Sequence, residues 1–174
     1  TKKNKKTFMP SQRHFSGHTS EIISLDIIKT KHCTLVATGD VAEIPTIIIW
    51  NLQTLKTEVT MRGSHRNGVK LLHFSTDGEK LASVGGDENQ LINVYDTMSG
   101  AIIHCISGGR FPIFDLSFSL DSRYLLQTGM HTISFHDLRV GKNVLTFPFH
   151  LECEGLPNQP FLSSTWTDKG VVVG

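Results

Sequence analysis

Residues 68–107, "GVKLLHFSTDGEKLASVGGDENQLINVYDTMSGAIIHCIS", hold four short runs rich in β-branched and aromatic residues, at 68–75, 80–86, 90–96 and 101–107. Between them stand Thr76-Asp77-Gly78, Asp87-Glu88-Asn89 and Met98-Ser99-Gly100. Asp, Asn, Ser and Gly accept the backbone conformations of tight turns, so the stretch reads as four antiparallel strands joined by hairpins. No part of the chain repeats apolar residues at the helical spacing of i, i+3, i+4 and i+7, and the fold class is all-β. Runs such as Ile47–Trp50 are apolar without alternation, as expected of strands covered on both faces.

The same pattern occurs on either side. The first unit reads "EIISLDII", "TLVATG", "TIIIWN" and "TEVTMR"; the third reads "IFDLSFS", "YLLQTG", "HTISFHD" and "NVLTFPF". Aligned on the aromatic or imidazole residue near the end of each third run, Trp50 and Tyr95 are 45 residues apart and Tyr95 and His136 are 41 apart. A period of roughly 40 to 45 residues is that of a four-stranded propeller blade. The units span 17–62, 65–107 and 109–149, and "FLSSTWTDKGVVVG" (161–174) supplies the first two strands of a partial fourth unit at 160–174. "SQRHFS", before Gly17, reads as the outermost strand of a preceding blade. Three blades with parts of two others fall short of the 4 to 8 that close a propeller, which predicts a segment of a longer one that folds poorly alone. The absence of a starting Met points the same way.

Composition bounds the function classes. With 39% hydrophobic and 19% charged residues the 174-residue chain can bury a core. It carries neither a run of roughly 20 apolar residues able to span a bilayer nor a secretory leader, so no membrane role is expected. Of the 17 Lys and Arg, five (Lys2, Lys3, Lys5, Lys6 and Arg13) precede every acid, which puts +5 on the N-terminal stretch and leaves 12 bases against 16 acids from position 14 onward; residues 1–11 read as a basic arm or linker and 12–174 as the repeat-bearing body. Such an arm suits contact with an acidic surface. The acidic body and the 8% aromatic content argue against nucleic acid as a partner. Three irregularly spaced cysteines, Cys33, Cys105 and Cys153, give no disulfide framework and suggest a reducing compartment. His150 and Cys153 lack a second pair of ligands, so neither a metal nor another cofactor is expected. No phosphate loop, nucleophile elbow or zinc-protease motif is present, and the chain reads as no enzyme, with no catalytic residues.

Gly17-His18 stands 32 residues before Trp50, and Ser64-His65 stands 30 before Tyr95. This resembles the WD40 repeat, with Gly-His near the start of the unit and Trp-Asp at its end. The resemblance covers residues 12–174 and implies a WD40 β-propeller segment. It also implies a buried hydrogen-bonded chain in each blade, running from His through Ser or Thr to the aromatic anchor, with an Asp in the turn. Carried over, these are His65, Ser83, Asp87 and Tyr95 in the second unit, and His18, Thr38 and Trp50 in the first. There the turn is enlarged to "GDVAEIPT" and the acid is Asp40 or Glu43. The third unit has Gly108-Gly109, Gln127 or Thr128, and His136 without a turn acid, so its network is expected to be largely lost. Partners in a buried polar chain tend to be lost together, because a half-satisfied chain is worse than an apolar core.

"QRHFSGHTSEIISLDI", "VATGDVAEIPTIIIWNLQTL", "HRNGVKLLHFS" and "GMHTISFHD" further resemble the first blades of the echinoderm microtubule-associated-protein-like family and its ciliary relatives. Arg13, His14, Gly17, His18, Ala37, Thr38, Gly39 and Gly129 fall on that pattern; His136, in place of the third Trp, departs from it. The resemblance implies a scaffold on microtubules, in the cytoplasm, the cytoskeleton or the ciliary axoneme, with tubulin and neighbouring axonemal proteins as partners. Expected contacts are Lys2, Lys3, Lys5, Lys6, Arg13, Arg62, Arg66 and Arg110, with the loops 40–46, 62–67, 109–111 and 150–159 on the blade rims. The alternative is a WD40 adaptor in a soluble complex such as a ubiquitin ligase or a trafficking coat.

Overall fold

The turn clusters end strands where the sequence places them. The structure, a computed structural model, describes residues 14–130, 132–139 and 160–174, and the backbone of 145–149. Among these residues there is no helix, hence none long and apolar enough to cross a membrane, and the strands fall into four sheets. The first sheet is β1 (Ile22–Lys29), β2 (Thr34–Asp40), β3 (Thr46–Asn51) and β4 (Thr57–Arg62). The second is β5 (Val69–Phe74), β6 (Lys80–Gly85), β7 (Ile92–Asp96) and β8 (Ile102–Ile106). β9 (Ile113–Phe118), β10 (Tyr124–Gly129), β11 (Thr132–Asp137) and β12 (Leu145–Phe149) form the third. β13 (Ser164–Thr167) and β14 (Gly170–Val173) form a two-stranded start of a fourth.

Each four-stranded sheet is an antiparallel meander in sequence order, and the register is shared. Trp50 lies opposite Val36, Tyr95 opposite Leu81 and His136 opposite Leu125. That equivalence lets residues be compared sheet by sheet, because a slip of one residue would reverse every side chain.

First strands stand side by side, β1 against β5, β5 against β9 and β9 against β13. The sheets therefore stack face to face around an axis, as propeller blades do. Two apolar clusters fill the spaces between them. Ala37, Ile47, Ile49, Met61, Leu72 and Tyr95 belong to the cluster between the first two sheets. Ala82, Val94, Ile113, Leu116, Leu125 and Leu138 belong to the one between the second and third. Polar ties also join neighbouring sheets: Phe74 N donates to Asp26 at 2.6 Å between the second and first, and Ser164 N donates to Asp115 at 2.7 Å between the fourth and third. Trp166 seats the fourth sheet by donating its indole N–H to Ser117 O at 3.0 Å and meeting Phe135 edge-on. The face of β1 turned away from β5 carries exposed Leu25 and Ile27.

Residues 14–18 differ from the expected outer strand. They pair with no sheet, and Phe15 instead stacks flat on Trp50, with ring centroids 4.5 Å apart. The ring thereby covers an indole face that no neighbouring blade covers among the described residues.

Candidate functional site

The repeated polar chain is carried by the second strand of each sheet and by the loop that enters the sheet. In the first sheet His18 Nδ1 donates to Asp40 Oδ2 at 2.9 Å while Nε2 meets the Thr38 hydroxyl at 2.7 Å. The carboxylate fixes the ring tautomer. Asp40 also accepts from Thr46 N at 3.0 Å and Ala42 N at 3.3 Å, closing the enlarged loop upon itself. Burial raises the Asp40 pKa, but the bonds from His18, Thr46 and Ala42 outweigh it and hold the carboxyl below its ordinary value. Of the two acids considered, Asp40 is the one on the ring. The Trp50 indole N–H stays outside this chain, buried and without a partner among the described residues.

In the second sheet His65 Nε2 meets Ser83 Oγ at 2.5 Å, Ser83 Oγ lies 3.4 Å from the Tyr95 hydroxyl, and that hydroxyl donates to Ser64 Oγ at 2.7 Å. Asp87 is not brought into the chain. Its carboxylate accepts from Gln90 N at 3.0 Å, within its own turn, and His65 Nδ1 has no partner among the described residues. Register supplies the reason. Counted from the residue opposite the anchor, the place of Asp40 is taken by Gly85, and a Cβ built there would lie 2.7 Å from His65 Nδ1. The glycine leaves room for the ring but offers it no acid. Burial pushes the His65 pKa down to about 4 against a smaller upward pull from the Asp87 charge.

The third sheet corrects the expectation of a lost network. Gln127, in the place of Thr38 and Ser83, accepts from His136 Nε2 at 3.0 Å and donates to Gly108 O at 2.8 Å. The longer amide spans the distance from strand to entry loop that an imidazole spans in the other sheets. Where that imidazole would sit, beside Gly109, a cleft of about 290 Å³ opens between Arg110, Gln127, Ser134 and His136. Burial pushes the His136 pKa down to about 4. Thr128, the other residue considered, keeps a buried hydroxyl without a partner among the described residues.

The residues after the anchors repeat as well. Asn51, Asp96 and Asp137 each accept from the backbone two or three residues on, at 3.0, 2.8 and 3.0 Å respectively. These contacts close the hairpin that begins the outermost strand. Sequence reading did not single them out, although Asn or Asp directly after each anchor was the available signal.

Arg62, Arg66 and Arg110 are exposed on the rims. The loop 40–46 presents Val41 and Ile44, 45% and 55% exposed. Lys2, Lys3, Lys5, Lys6 and Arg13, the loop 150–159 and the pair His150 and Cys153 lie outside the described residues. Among the described residues no three His, Cys, Asp or Glu side chains cluster as metal ligands.

No protein-family model matches the chain. Among known proteins it is similar to WD repeat-containing protein 1 of Xenopus tropicalis, 32% identical over 148 residues, covering 83% of this chain and 23% of the relative. It is similar to autophagy-related protein 18 of Candida glabrata, 33% identical over 84 residues, or 47% of this chain and 16% of the relative. Cilia- and flagella-associated protein 251 of Chlamydomonas reinhardtii is 34% identical over 73 residues, 42% of this chain and 9% of its own length. The matched stretches thus span less than a quarter of each of these relatives. Meander sheets in one register, first strands side by side, and WD-repeat relatives agree: the chain is a segment of a WD40-repeat β-propeller.

Proposed function

We propose that the chain serves a non-catalytic scaffold that docks other proteins on microtubules, in the cytoskeleton and the ciliary axoneme, without metal or cofactor. One observation carries the scaffold part. The His, Ser, Thr and Asp side chains from which an active site would be assembled are turned inward upon one another, as in His18 with Thr38 and Asp40 and in His65 with Ser83. The exposed rim loops are left for recognition, and loops on a rigid frame are where binding residues concentrate.

The microtubule part rests on the resemblance over Gly17, His18, Ala37, Thr38, Gly39 and Gly129, and on a relative whose name places it with cilia and flagella. On this reading Lys2, Lys3, Lys5, Lys6 and Arg13 steer the scaffold to the acidic tubulin surface, and Arg62, Arg66 and Arg110 extend the contact. Replacing the four lysines by Gln in the full-length protein should weaken microtubule co-sedimentation about tenfold at low salt, the loss shrinking as salt screens the wild type. Unchanged co-sedimentation rejects the steering role.

A second reading, an adaptor in a soluble complex such as a ubiquitin ligase or a trafficking coat, is favoured by the similarity to an autophagy-related protein. Recovery of the native protein from purified axonemes supports the first reading; recovery in a soluble cytosolic complex supports the second.

A further inference from the structure

The two gaps between complete sheets are built on equivalent residues and differ in what fills them. Between the second and third sheets, Leu138 lies two residues past the anchor His136 and is buried in the apolar cluster. At the rim of that gap each carboxylate has its own guanidinium: Asp137 pairs with Arg139 at 2.6 Å and Asp121 with Arg123 at 3.6 Å. Leu138 thus occupies this gap, and these two carboxylates are matched by two guanidinium groups.

Between the first and second sheets the residue in the place of Leu138 is the smaller Thr97, also buried, which donates its hydroxyl to Gly78 O at 2.8 Å. A groove of about 630 Å³ is left open, floored by Leu35, Ile49 and Val59. Its rim carries Glu58, Asp77, Glu79 and Asp96, with His32 the single potential cation among the described lining side chains. Asp77 has a distant ammonium, Lys80 at 3.9 Å; Glu58, Glu79 and Asp96 pair with no Lys or Arg among the described residues. Glu79 stands where Arg123 stands in the next sheet, and Met98, 83% exposed, stands where Arg139 does. One position has thus lost its apolar plug while its rim has lost its cations.

We propose that this groove docks a segment of another protein that carries one apolar side chain flanked by lysines or arginines. The volume falls within the range of roughly 300–1,000 Å³ typical of pockets that enclose a ligand, and the floor rewards an apolar group. The unpaired carboxylates select a cationic flank and reject an acidic one. The occupant is therefore opposite in charge to the acidic surface proposed for the N-terminal arm, and the inference does not depend on that reading.

Two side chains in the groove serve as reporters. Cys33 lines it as a free thiol, and Cys105, exposed on β8, is an internal control. The full-length protein is alkylated with N-ethylmaleimide, and each cysteine is followed by mass spectrometry, with and without a synthetic pentapeptide of leucine flanked on each side by two lysines. The peptide should slow modification of Cys33 about tenfold at low salt and leave Cys105 unaffected, with protection lost at high salt. The methyl resonance of Met98 should shift over the same titration, a readout independent of thiol reactivity. Thr97→Leu combined with Glu79→Arg copies the filled gap; this variant should melt as the wild type does and show neither effect. Equal protection by a peptide with glutamates in place of the lysines overturns the proposal, as does equal protection of the double variant, or silence of both reporters in the wild type. Wild-type dimerisation abolished in the double variant would assign the groove to a second copy of the chain and overturn the foreign partner.

Discussion

The second and third sheets share strand order and register but hold their buried imidazoles by different chemistry. In the second, a ring from the entry loop meets a hydroxyl on β6, and a phenol on β7 continues the chain. In the third, the ring comes from the anchor position on β11 and an amide on β10 carries the link back to the loop. The blade does not require a particular set of residues. It requires a hydrogen bond from the shared second-strand position towards the entry loop or anchor, and it tolerates neighbouring buried atoms such as His65 Nδ1 and Thr128 Oγ1 that have no partner among the described residues, although such an atom costs about 1–3 kcal/mol. The apolar faces, which are alike in the two sheets, hold the geometry while the polar chain is rebuilt.

Acid provides the largest test of this comparison. Both His65 and His136 have pKa values lowered to about 4 in the folded protein, below the roughly 6.5 of an unfolded chain. Between those values the unfolded chain binds more protons, so the stabilisation from the neutral rings is complete above about pH 6.5 and is lost as pH falls towards 4. The gap corresponds to roughly 3 kcal/mol per histidine, read as a falling urea midpoint across that window. His136→Gln should remove about half of the slope; a slope unchanged by this variant would mean that the third-sheet ring is not held neutral.

Substitution at the shared strand position comes next in size. Gln127→Ala removes the partners of both His136 Nε2 and the Gly108 carbonyl and should destabilise by about 2–3 kcal/mol. Ser83→Ala removes the hydroxyl that meets His65 Nε2 but leaves the Tyr95 hydroxyl its bond to Ser64, and should cost about 1–2 kcal/mol. Equal losses in urea denaturation would show that the two chains are worth the same despite their chemistry.

The anchors give the smallest effect. Tyr95→Phe removes a hydroxyl that lies between Ser83 and Ser64 and should cost about 1 kcal/mol. Trp50→Phe keeps an aromatic ring for stacking on Phe15 and deletes an N–H that has no partner among the described residues, so its loss should fall below that of a Tyr95→Phe change of about 1 kcal/mol. A larger loss from Trp50→Phe, measured by the same denaturation, would show that the wider indole contributes packing or a hydrogen bond that the phenyl ring does not replace.

Much of the architecture was legible because strand ends are local. Thr76-Asp77-Gly78 closes a turn with its own neighbours, Ser75 Oγ to Asp77 and Glu79 N to Asp77, and its counterpart over Ser119–Arg123 repeats the same bonds. The expected runs accordingly match β1 to β14 to within a few residues at each end. The polar chains were legible only in part. Pairing of His18 with Thr38 followed from the motif, but Asp87 sits in the turn where the motif wants an acid and still bonds within that turn. The acid on His18 comes from Asp40, at the end of β2. Which acid reaches a ring depends on strand register and on side-chain direction across three strands, and neither is written in residue spacing.

Amino-acid order alone determined that the chain forms hairpin-linked strands in units of about forty residues, since β-branched runs and turn residues act over a handful of neighbours. Only the packing of one sheet upon the next decided which polar groups meet and which inter-sheet gap is filled by Leu138 and which is left open beside Thr97. Those outcomes depend on atoms brought together from far apart in the chain, where a difference of one side chain's length decides whether a contact exists.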